Sequence, residues 1–519
     1  MSIYPLRTNA QVTFQKTFGG AGTDYGYSVR QTTDGGYIIT GYTESFGAGG
    51  RDVYLIRTDD NGNMIWTRTY GESNIDYGWT VQQTTDGGFI VGAHTGSFGA
   101  GSHDVYLIKV DANGEPLWSK VYGGSSPDGA YSMQQTTDGG YIVSAHTSSF
   151  GAGAHEIYLI KTNGNGDTLW TKTYGGSSGD YLRSVHQTTD GGYIMVAESF
   201  SFGEGMADVY LVKTDRLGDT LWTKSYGGSA SDYGYSVQQT TDGGYIVAGY
   251  TLSFGEGLSD VYLIKTDSNG DTLWTKTYGG PLSDYGYSVQ QMADSGYVVA
   301  GYTQSFGTNG DVYLIRTDAN GGLIWAKSFG GTSDDRGWSV QQTVDGGFII
   351  AGYTESFGAG SKDVYLIKTD ENGNSGCNQS PTNTIVGNTE TVVNSTVTWI
   401  GSGAIVNNTA TIVSNAATVD SVICGTTGLQ EEIIPISRVK IQIYPNPFSS
   451  STLIRFQSQI SENYTFVLYD LLGEEVKRIE GIRTNEVKIT RGGISTGMYF
   501  YKLQNEKETI ETGKLIFIK

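Results

Sequence analysis

The sequence has little positive charge and no long apolar run. Its 519 residues include 33 Lys and Arg against 53 Asp and Glu, which gives a formal net charge of −20. Because phosphate binding needs clustered Lys and Arg, this balance argues against nucleic acid or an anionic membrane surface as partners. No stretch of 18 apolar residues occurs, so the sequence predicts no membrane-spanning helix.

Helical patterns and catalytic side chains are scarce as well. No window keeps a helical apolar period, and 76 glycines are too many for long helices. The chain has five His, and its Ser and Asp recur in every repeat, so no arrangement of a nucleophile and a base emerges. Two Cys without a neighbouring His argue against a thiolate metal centre.

What the sequence does have is an internal repeat. Its marker DGG, once DSG, recurs in steps of 52 residues with a last step of 51, which gives seven copies. The markers begin at Asp34, Asp86, Asp138, Asp190, Asp242, Asp294 and Asp345.

Each copy contains four short segments rich in Val, Ile, Tyr, Thr and Trp, bounded by Gly, Asp, Asn and Ser. In the fifth copy they are YSVQQT (Tyr235–Thr240), YIVAGYT (Tyr245–Thr251), VYLIKTD (Val261–Asp267) and TLWTKTY (Thr272–Tyr278). Four strands in a unit of this length predict a β-propeller blade, so the expected fold class is all-β.

The seventh copy breaks off at Ser375, before its fourth segment. Ahead of the first copy stands VTFQKTFGG (Val12–Gly20), which aligns with the fourth segments and has Phe14 where they have Trp. We therefore predict that residues 12–375 form a seven-bladed propeller closed by the N-terminal strand, which leaves no joint between blades unpaired and ties the two ends of the repeat region together. Residues 1–11 lack an apolar signal core and end in small polar residues, so we interpret them as the remnant of a leader.

Residues 376–437 differ in composition. They are rich in Thr, Asn, Val and Ser, and almost uncharged between Asn378 and Thr418. Their loose alternation is typical of short strands or of an extended linker, and we predict a linker. Cys377 and Cys424 frame this segment, so a disulfide is expected in an oxidising compartment, with two free thiols as the alternative.

Residues 438–519 contain the most specific signals. They include VKIQIYPNPFSSSTLIRF, YTFVLYDLLGEEVKRIEG, GGISTGMYFYKLQ and GKLIFIK. Alternating segments separated by Pro, Gly and charged turns predict a small antiparallel β-sandwich. With its Tyr444-Pro445-Asn446-Pro447 motif and basic last segment, this block resembles the C-terminal sorting domain of type IX secretion in Bacteroidetes-type bacteria.

This resemblance implies a partner and a location. It implies contact with the type IX secretion machinery, export across the outer membrane, cleavage of this domain, and then release or surface attachment. Repeats such as QTTDGGYIVAGYT also resemble propeller repeats of secreted proteins from the same bacteria. We therefore expect an extracellular or cell-surface protein.

Function has to be sought in sites, because one fold serves many functions. The tight turns TTDGG and DxNG mark one face, and the longer loops YGGSxSDYG and SFGxGxxD mark the other, where binding is expected. Asp and aromatic side chains recur there and suit sugars; the alternative is that Asp caps its own loop and the aromatic rings pack between blades. The predicted ligand-binding residues are Asp24, Tyr27, Asp76, Trp79, Asp128, Tyr131, Asp180, Arg183, Asp232, Tyr235, Asp284, Tyr287, Asp335 and Trp338.

The His residues are unevenly distributed. His94 and His146 replace a Tyr found at this place in other copies, and Glu198 replaces it in the fourth. Two His and one carboxylate could bind a metal ion. The alternative is that these residues are neutral sequence variation between the repeats. The turn DSNGD (Asp267–Asp271) resembles a calcium loop only in part, because the terminal bidentate Glu is missing, so a hairpin turn is favoured.

The sequence favours a secreted binding protein for a glycan or another extracellular partner over an enzyme, and it indicates no cofactor. An enzyme usually needs one asymmetric site, whereas near-identical blades offer several equivalent ones. Two other hypotheses stay open: an exported hydrolase or lyase centred on the His-bearing second to fourth copies, and a structural spacer without a ligand.

Overall fold

A computed structural model describes residues 11–151, 154–389, 391–395, 399–401, 405–408, 412–414, 419–426, 441–444, 449–456, 463–470, 474–505 and 509–517. The predicted leader remnant, apart from Gln11, and the Pro445–Pro447 part of the tail motif lie outside these residues. The chain divides into two compact units, Met1–Leu429 and Gln430–Lys519. Every regular element within the described ranges is a β-strand, as the composition predicted.

Each repeat supplies antiparallel strands, numbered here in chain order. The first strands of the seven repeats are β2 (Asp24–Gln31), β6 (Asp76–Gln83), β10 (Asp128–Gln135), β14 (Asp180–Gln187), β18 (Asp232–Gln239), β22 (Asp284–Gln291) and β26 (Asp335–Gln342). The second strands are β3 (Tyr37–Thr43), β7 (Phe89–Thr95), β11 (Tyr141–Thr147), β15 (Tyr193–Ser199), β19 (Tyr245–Thr251), β23 (Tyr297–Thr303) and β27 (Phe348–Thr354).

The third strands are β4 (Asp52–Thr58), β8 (Asp104–Val110), β12 (Glu156–Thr162), β16 (Asp208–Thr214), β20 (Asp260–Thr266), β24 (Asp311–Thr317) and β28 (Asp363–Thr369). The fourth strands are β5 (Met64–Gly71), β9 (Pro116–Gly123), β13 (Thr168–Gly175), β17 (Thr220–Gly227), β21 (Thr272–Gly279) and β25 (Leu323–Phe329), and β1 (Thr13–Gly19) takes this place in the seventh repeat.

In the part of the chain that the structure describes, these strands form seven sheets in a propeller-like arrangement, numbered 1–7 in the order of the repeats. The N-terminal strand β1 pairs antiparallel with β28 in sheet 7. Phe14 lies opposite Lys368, just as Trp274 lies opposite Lys265 in sheet 5. The predicted alignment of Phe14 with the tryptophans is therefore the register that the structure shows.

Neighbouring sheets share apolar cores. Third strands such as β20 are buried at every residue, which fits their nearly continuous apolar sequence. The core between sheets 7 and 1 joins Phe14 and Phe18 of β1 with Tyr37 of β3, among others. The same kind of cluster recurs between the other neighbouring sheets, so large Tyr, Ile, Val and Leu side chains fill each joint.

The segment predicted as a linker is corrected by the structure. Its short strands each pair with the outer strand of a different sheet, so each sheet has a fifth strand. Without these fifth strands, the outer strands would present unpaired N–H and C=O groups. The Thr- and Val-rich segment can form hydrogen bonds with these groups as additional strands. The fifth strands visit the sheets from 6 down to 1 and then 7: β29 (Gln379–Pro381), β30 (Ile385–Asn388), β31 (Val392–Ser395), β32 (Trp399–Gly401), β33 (Ile405–Asn408), β34 (Ile412–Ser414) and β35 (Val419–Thr426).

The two cysteines meet beside β1: Cys424 lies in β35 of sheet 7, and Cys377 precedes β29. The Sγ atoms of Cys377 and Cys424 form a disulfide, with 6.1 Å between the Cα atoms. Gln15 of β1 lies opposite Cys424, and its Nε2 donates a hydrogen bond to the Cys377 carbonyl at 2.6 Å. The start and the end of the segment that carries the fifth strands are therefore joined beside β1.

The C-terminal unit is a pair of antiparallel sheets. Its strands are β36 (Ile441–Tyr444), β37 (Ser451–Phe456), β38 (Tyr464–Tyr469), β39 (Glu475–Ile482), β40 (Glu486–Thr490), β41 (Gly497–Gln504) and β42 (Thr509–Phe517). The sheet orders are β36-β37-β40 and β39-β38-β41-β42. Ile454 and Ile489 of the first sheet share one core with Phe466 of the second, which is the arrangement of a β-sandwich.

Candidate functional site

Seven side chains, one from each first strand, touch in succession at the loop end of the repeat unit; we name them the inner ring. All are half-buried, and neighbouring ring centroids lie 4.2–5.7 Å apart wherever both members are aromatic. The inner ring consists of Tyr27, Trp79, Tyr131, Arg183, Tyr235, Tyr287 and Trp338. The contact between Tyr27 and Trp338 joins sheet 1 to sheet 7.

A β-bulge positions each member of the inner ring. In sheet 1 the pairing of β2 with β3 shifts between Gly26 and Ser28, so Tyr27 has no opposite residue. The same shift occurs in the other six first strands. An unpaired bulge residue turns away from the regular alternation, and here each one turns toward its counterparts in the neighbouring sheets.

Arg183 is the one cation in the inner ring. Its guanidinium carbon lies 4.9 Å from the Tyr131 ring centroid and 5.1 Å from that of Tyr235. A nitrogen of the same group contacts Glu198 at 2.6 Å. Arg183 therefore contacts both neighbouring rings by cation–π interactions, and its charge is compensated by Glu198. The inner ring stays continuous although one of its members is not aromatic.

The seven aspartates predicted as ligand contacts are corrected by the structure, because each is fully buried. In sheet 5, Asp232 Oδ2 accepts hydrogen bonds from the Gly228 N–H at 2.8 Å and the Ser253 hydroxyl at 2.7 Å. Burial raises the pKa of this carboxyl, and these hydrogen bonds oppose the rise. The carboxylates therefore hold the loop before each first strand, which is the capping alternative, and they present no oxygen to a ligand.

A second set of side chains surrounds the inner ring, and we name it the outer ring. Sequence reasoning named three of its members, His94, His146 and Glu198, as a metal set but did not predict the ring. It alternates the second residue of each first strand with the sixth residue of a second strand. Tyr25 lies 4.8 Å from Tyr42 and 4.4 Å from Tyr353, ring centroid to centroid, which again joins sheets 1 and 7. The outer ring consists of Tyr25, Tyr42, Tyr77, His94, His146, Tyr181, Glu198, Tyr233, Tyr250, Tyr285, Tyr302, Arg336 and Tyr353. The Tyr of the recurring DYG could have signalled it.

The predicted metal set is only partly brought together. His94 and His146 converge over Gly129, where a Cβ atom would lie 3.1 Å from His94 Nδ1 and 3.0 Å from His146 Cε1. Glu198 pairs with Arg183 instead. Burial and the nearby His146 lower the pKa of His94 to about 3, so this imidazole is neutral at neutral pH. Within the described ranges, no group of three or more His, Cys, Asp or Glu is arranged to hold a metal ion.

The turn Asp267–Asp271, between β20 and β21, is a hairpin, as favoured. Asp267 Oδ1 accepts hydrogen bonds from the backbone N–H groups of Asn269 and Asp271, both at 2.8 Å. The same carboxylate therefore fixes its own turn and is not arranged around an ion.

One Ser–His contact was not foreseen. Ser148 Oγ lies 2.7 Å from His155 Nδ1 in the loop between β11 and β12. Both residues are half-buried, and the Tyr181 ring lies 4.9 Å from the imidazole. This is the distance at which an imidazole can accept a hydroxyl proton.

Charged groups border the outer ring in pairs. Arg51 pairs with Glu44 at 2.6 Å and lies 4.8 Å from the Tyr42 ring centroid. Lys362 pairs with Glu355 at 2.9 Å and lies 4.2 Å from the Tyr353 ring centroid. The loop end of the repeat unit thus combines aromatic rings with hydrogen-bonding groups at their border, and we call this surface the aromatic face.

Comparison with known families identifies the C-terminal unit. Residues 442–519 match the secretion system C-terminal sorting domain. This domain directs export by type IX secretion, so the chain is destined for the cell surface or the medium. In the described part of the chain, no helix has the length and apolarity needed to cross a membrane.

Comparison of the repeat unit shows only remote similarity. A curated relative, the regulatory protein FlaEY of Caulobacter vibrioides, is 23% identical over 366 residues; the match spans 65% of this chain and 36% of that protein. Among solved structures, Sqt1 of Chaetomium thermophilum has 11% identity and a TM-score of 0.36, covering 64% of this chain and 81% of that one. Endo-1,5-α-L-arabinanase of Thermotoga petrophila has 11% identity and a TM-score of 0.26, covering 68% and 99%.

Proposed function

We propose that this protein is an exported binding protein whose aromatic face binds carbohydrate. The observation that carries the proposal is the pair of concentric rings. The Tyr and Trp side chains of the inner ring are half-buried and retain partial access to solvent, as do most outer-ring tyrosines; Tyr42, Tyr302 and Tyr353 are buried. Flat aromatic faces pack against the C–H faces of sugar rings, while Tyr hydroxyls and bordering charges exchange hydrogen bonds with sugar hydroxyls.

The proposal includes a closed, seven-bladed propeller as the scaffold. Three contacts between sheets 1 and 7 support closure: the shared core, the Tyr27–Trp338 contact and a hydrogen bond from the Asp24 N–H to the Lys362 carbonyl at 2.8 Å. We extend the scaffold beyond the predicted 12–375 to about residue 426, because the fifth strands belong to the same sheets. A sorting sandwich at 438–519 completes the proposed organisation.

A glycan-array screen of the full chain tests the proposal. Binding of one glycan class should weaken about tenfold in the variants Tyr235→Ala and Tyr287→Ala, because each removes one stacking surface. Leu169→Ala is the matched control, since this side chain is 57% exposed on β13, away from the aromatic face. Absence of any glycan signal, or equal loss in the control, would refute the carbohydrate proposal and favour the spacer hypothesis.

A second candidate function is hydrolysis, and the Ser148–His155 contact at 2.7 Å is the observation that favours it. The test is turnover of activated esters by the full chain and by Ser148→Ala. Turnover that persists in the variant would exclude Ser148 as the nucleophile.

A further inference from the structure

A cavity of about 240 Å³ lies along the axis of the repeat unit. Its lining comes from all seven first strands, at the three positions that follow the inner-ring residue. In β14, for example, these are Ser184, Val185 and His186. The cavity therefore lies between the inner ring and the turns that end the first strands.

Among the residues that the structure describes, no carboxylate lines this cavity, although the chain carries 53 Asp and Glu and a net charge of −20. Its charged or titratable lining residues, all within the described ranges, are Arg30 and His186. The other polar lining groups are Ser hydroxyls and Gln carboxamides. The charged lining of the cavity is thus cationic, whereas the chain as a whole has a negative net charge.

The Gln side chains present donors to the cavity. Gln82 Oε1 accepts a hydrogen bond from the Gln135 N–H at 2.8 Å, and Gln134 Oε1 accepts one from the Gln187 N–H at 2.7 Å. The same contact, one strand to the next, is made by Gln238, Gln290 and Gln341. Because each oxygen is engaged between strands, each NH₂ group remains for the cavity.

Arg30 takes the place of one of these Gln residues. Its Nη1 donates to the Val29 carbonyl at 2.8 Å and to Ser339 Oγ at 3.4 Å. Burial lowers the pKa of the guanidinium, and no described carboxylate pairs with it. Arg30 is half-buried, and a partly desolvated cation without a counter-charge is costly. An anion in the cavity would reduce that cost.

His186 takes the Gln position in β14. Its Nδ1 is buried and has no hydrogen-bond partner within the described part of the protein. Burial lowers the pKa of the imidazole, and a hydrogen bond with the Gln187 backbone opposes this shift. His186 therefore places a second titratable group, with an unpartnered Nδ1, beside the same cavity.

We propose that the axial cavity binds a small oxyanion, with the Arg30 guanidinium as its charged anchor and the Gln amides and His186 as additional donors. Carboxylate, sulfate and phosphate share the required chemistry, since each offers several oxygen acceptors to a guanidinium. This site is separate from the aromatic face and does not depend on carbohydrate binding there.

The test uses the full chain and three probes: sodium sulfate, sodium phosphate and sodium acetate, each compared with sodium chloride at equal ionic strength. Titration calorimetry and thermal melts should show saturable binding of at least one oxyanion. Arg30→Gln should weaken it at least tenfold and His186→Gln by a smaller factor. Both substitutions introduce the residue that the other first strands carry, so the fold should be retained.

Arg455→Gln is the matched control, because this side chain is 64% exposed in the C-terminal unit. In chloride alone, Arg30→Gln should melt higher than the parent chain, because it removes the uncompensated cation. Sulfate stabilises folded proteins in general, so it should raise the melting temperature of the parent more than that of Arg30→Gln. Oxyanion binding that is absent from the parent, or equal in the parent and Arg30→Gln, would overturn the proposal. The relative affinities for sulfate, phosphate and acetate would identify the preferred oxyanion.

Discussion

The two ends of the first strand of each repeat are built differently. At the turn end, the Asp of each DGG or DSG marker pairs with a buried Lys or Arg of the third strand. In sheet 4, Lys213 is 4% exposed and its Nζ lies 2.8 Å from Asp190 Oδ2. The described pairs are Asp34–Arg57, Asp86–Lys109, Asp138–Lys161, Asp190–Lys213, Asp242–Lys265, Asp294–Arg316 and Asp345–Lys368.

At the aromatic face the copies differ from one another. Arg183 interrupts the inner ring, and Arg336 and Glu198 stand at outer-ring positions where other copies have Tyr. Gly129 has no side chain where the other copies have Tyr or Arg, and two imidazoles lie over it. The turn end thus keeps the same ion pair in every repeat, whereas the side chains of the aromatic face differ from copy to copy.

The largest expected loss of stability comes from removing β1, because sheet 7 needs this strand at both its turn end and its loop end. Deletion of Thr13–Gly19 takes β1 from between β28 and β35 and exposes two strand edges. We expect a loss comparable to the whole stability of the unit, on the order of 5 kcal/mol or more, with aggregation. Thermal melts and gel filtration measure it. A truncated chain that stays monomeric and melts like the parent would contradict the assignment of β1.

The next largest loss of stability is expected from breaking one ion pair at the turn end. Asp190→Asn leaves the buried Lys213 without its counter-charge, and should cost about 2 kcal/mol after allowance for the solvent exposure of Asp190. Asp215→Asn is the matched control, because Asn163 already occupies this position in the third repeat. It should cost less than about 0.5 kcal/mol. Equal costs in chemical denaturation would mean that the pair adds nothing specific.

A smaller effect is the pH dependence of stability, which should have opposite signs for carboxyl groups at the loop end and at the turn end. Desolvation and the nearby Asp284 raise the pKa of Asp260, at the loop end, to about 7. Since this folded-state pKa exceeds the unfolded value near 4, its contribution to stability is greatest in acid and decreases as pH rises through 7. Asp260→Asn should therefore gain roughly 1 kcal/mol at pH 8 relative to the parent.

The turn end has the opposite dependence. Burial alone would raise the pKa of Asp190, but hydrogen bonds from Lys213 and Thr188 hold it at about 2. Its contribution is present above pH 4 and is lost as pH falls toward 2. Urea unfolding of the parent, Asp260→Asn and Asp190→Asn between pH 3 and 8 separates the two signs; parallel curves for the two variants would contradict the comparison.

The smallest expected effect tests tolerance at the aromatic face. The double variant Arg183→Tyr and Glu198→Tyr restores the side chains that other copies carry, and should change stability by less than about 1 kcal/mol. Glu198→Tyr alone should cost more, because Arg183 then loses its carboxylate. A double-mutant cycle measures this coupling, and additive costs would show that the pair is not coupled.

Much of this molecule follows from local sequence. The repeat period, the strand segments, the hairpin turn at Asp267 and the alignment of Phe14 with the tryptophans depend on side-chain pattern and turn chemistry over a few residues. The inner ring was also identified residue by residue, since its members recur at one position of the repeat. Whether the neighbouring aspartates could contact a ligand together with the inner ring needed the structure, because these aspartates are buried and accept hydrogen bonds within their own loops.

The sequence by itself determined the all-β character, the repeated four-strand unit and the C-terminal sorting domain, because each is encoded in short, regular or highly specific patterns. Only the tertiary structure decided which Asp side chains are buried, how the Thr-rich segment pairs with the sheets, and that a cavity without carboxylates follows the axis. The fifth strands and the cavity bring together residues about 52 positions apart or more, and such contacts exist only once the sheets have packed. Their energies depend on desolvation by distant neighbours, which no local pattern specifies.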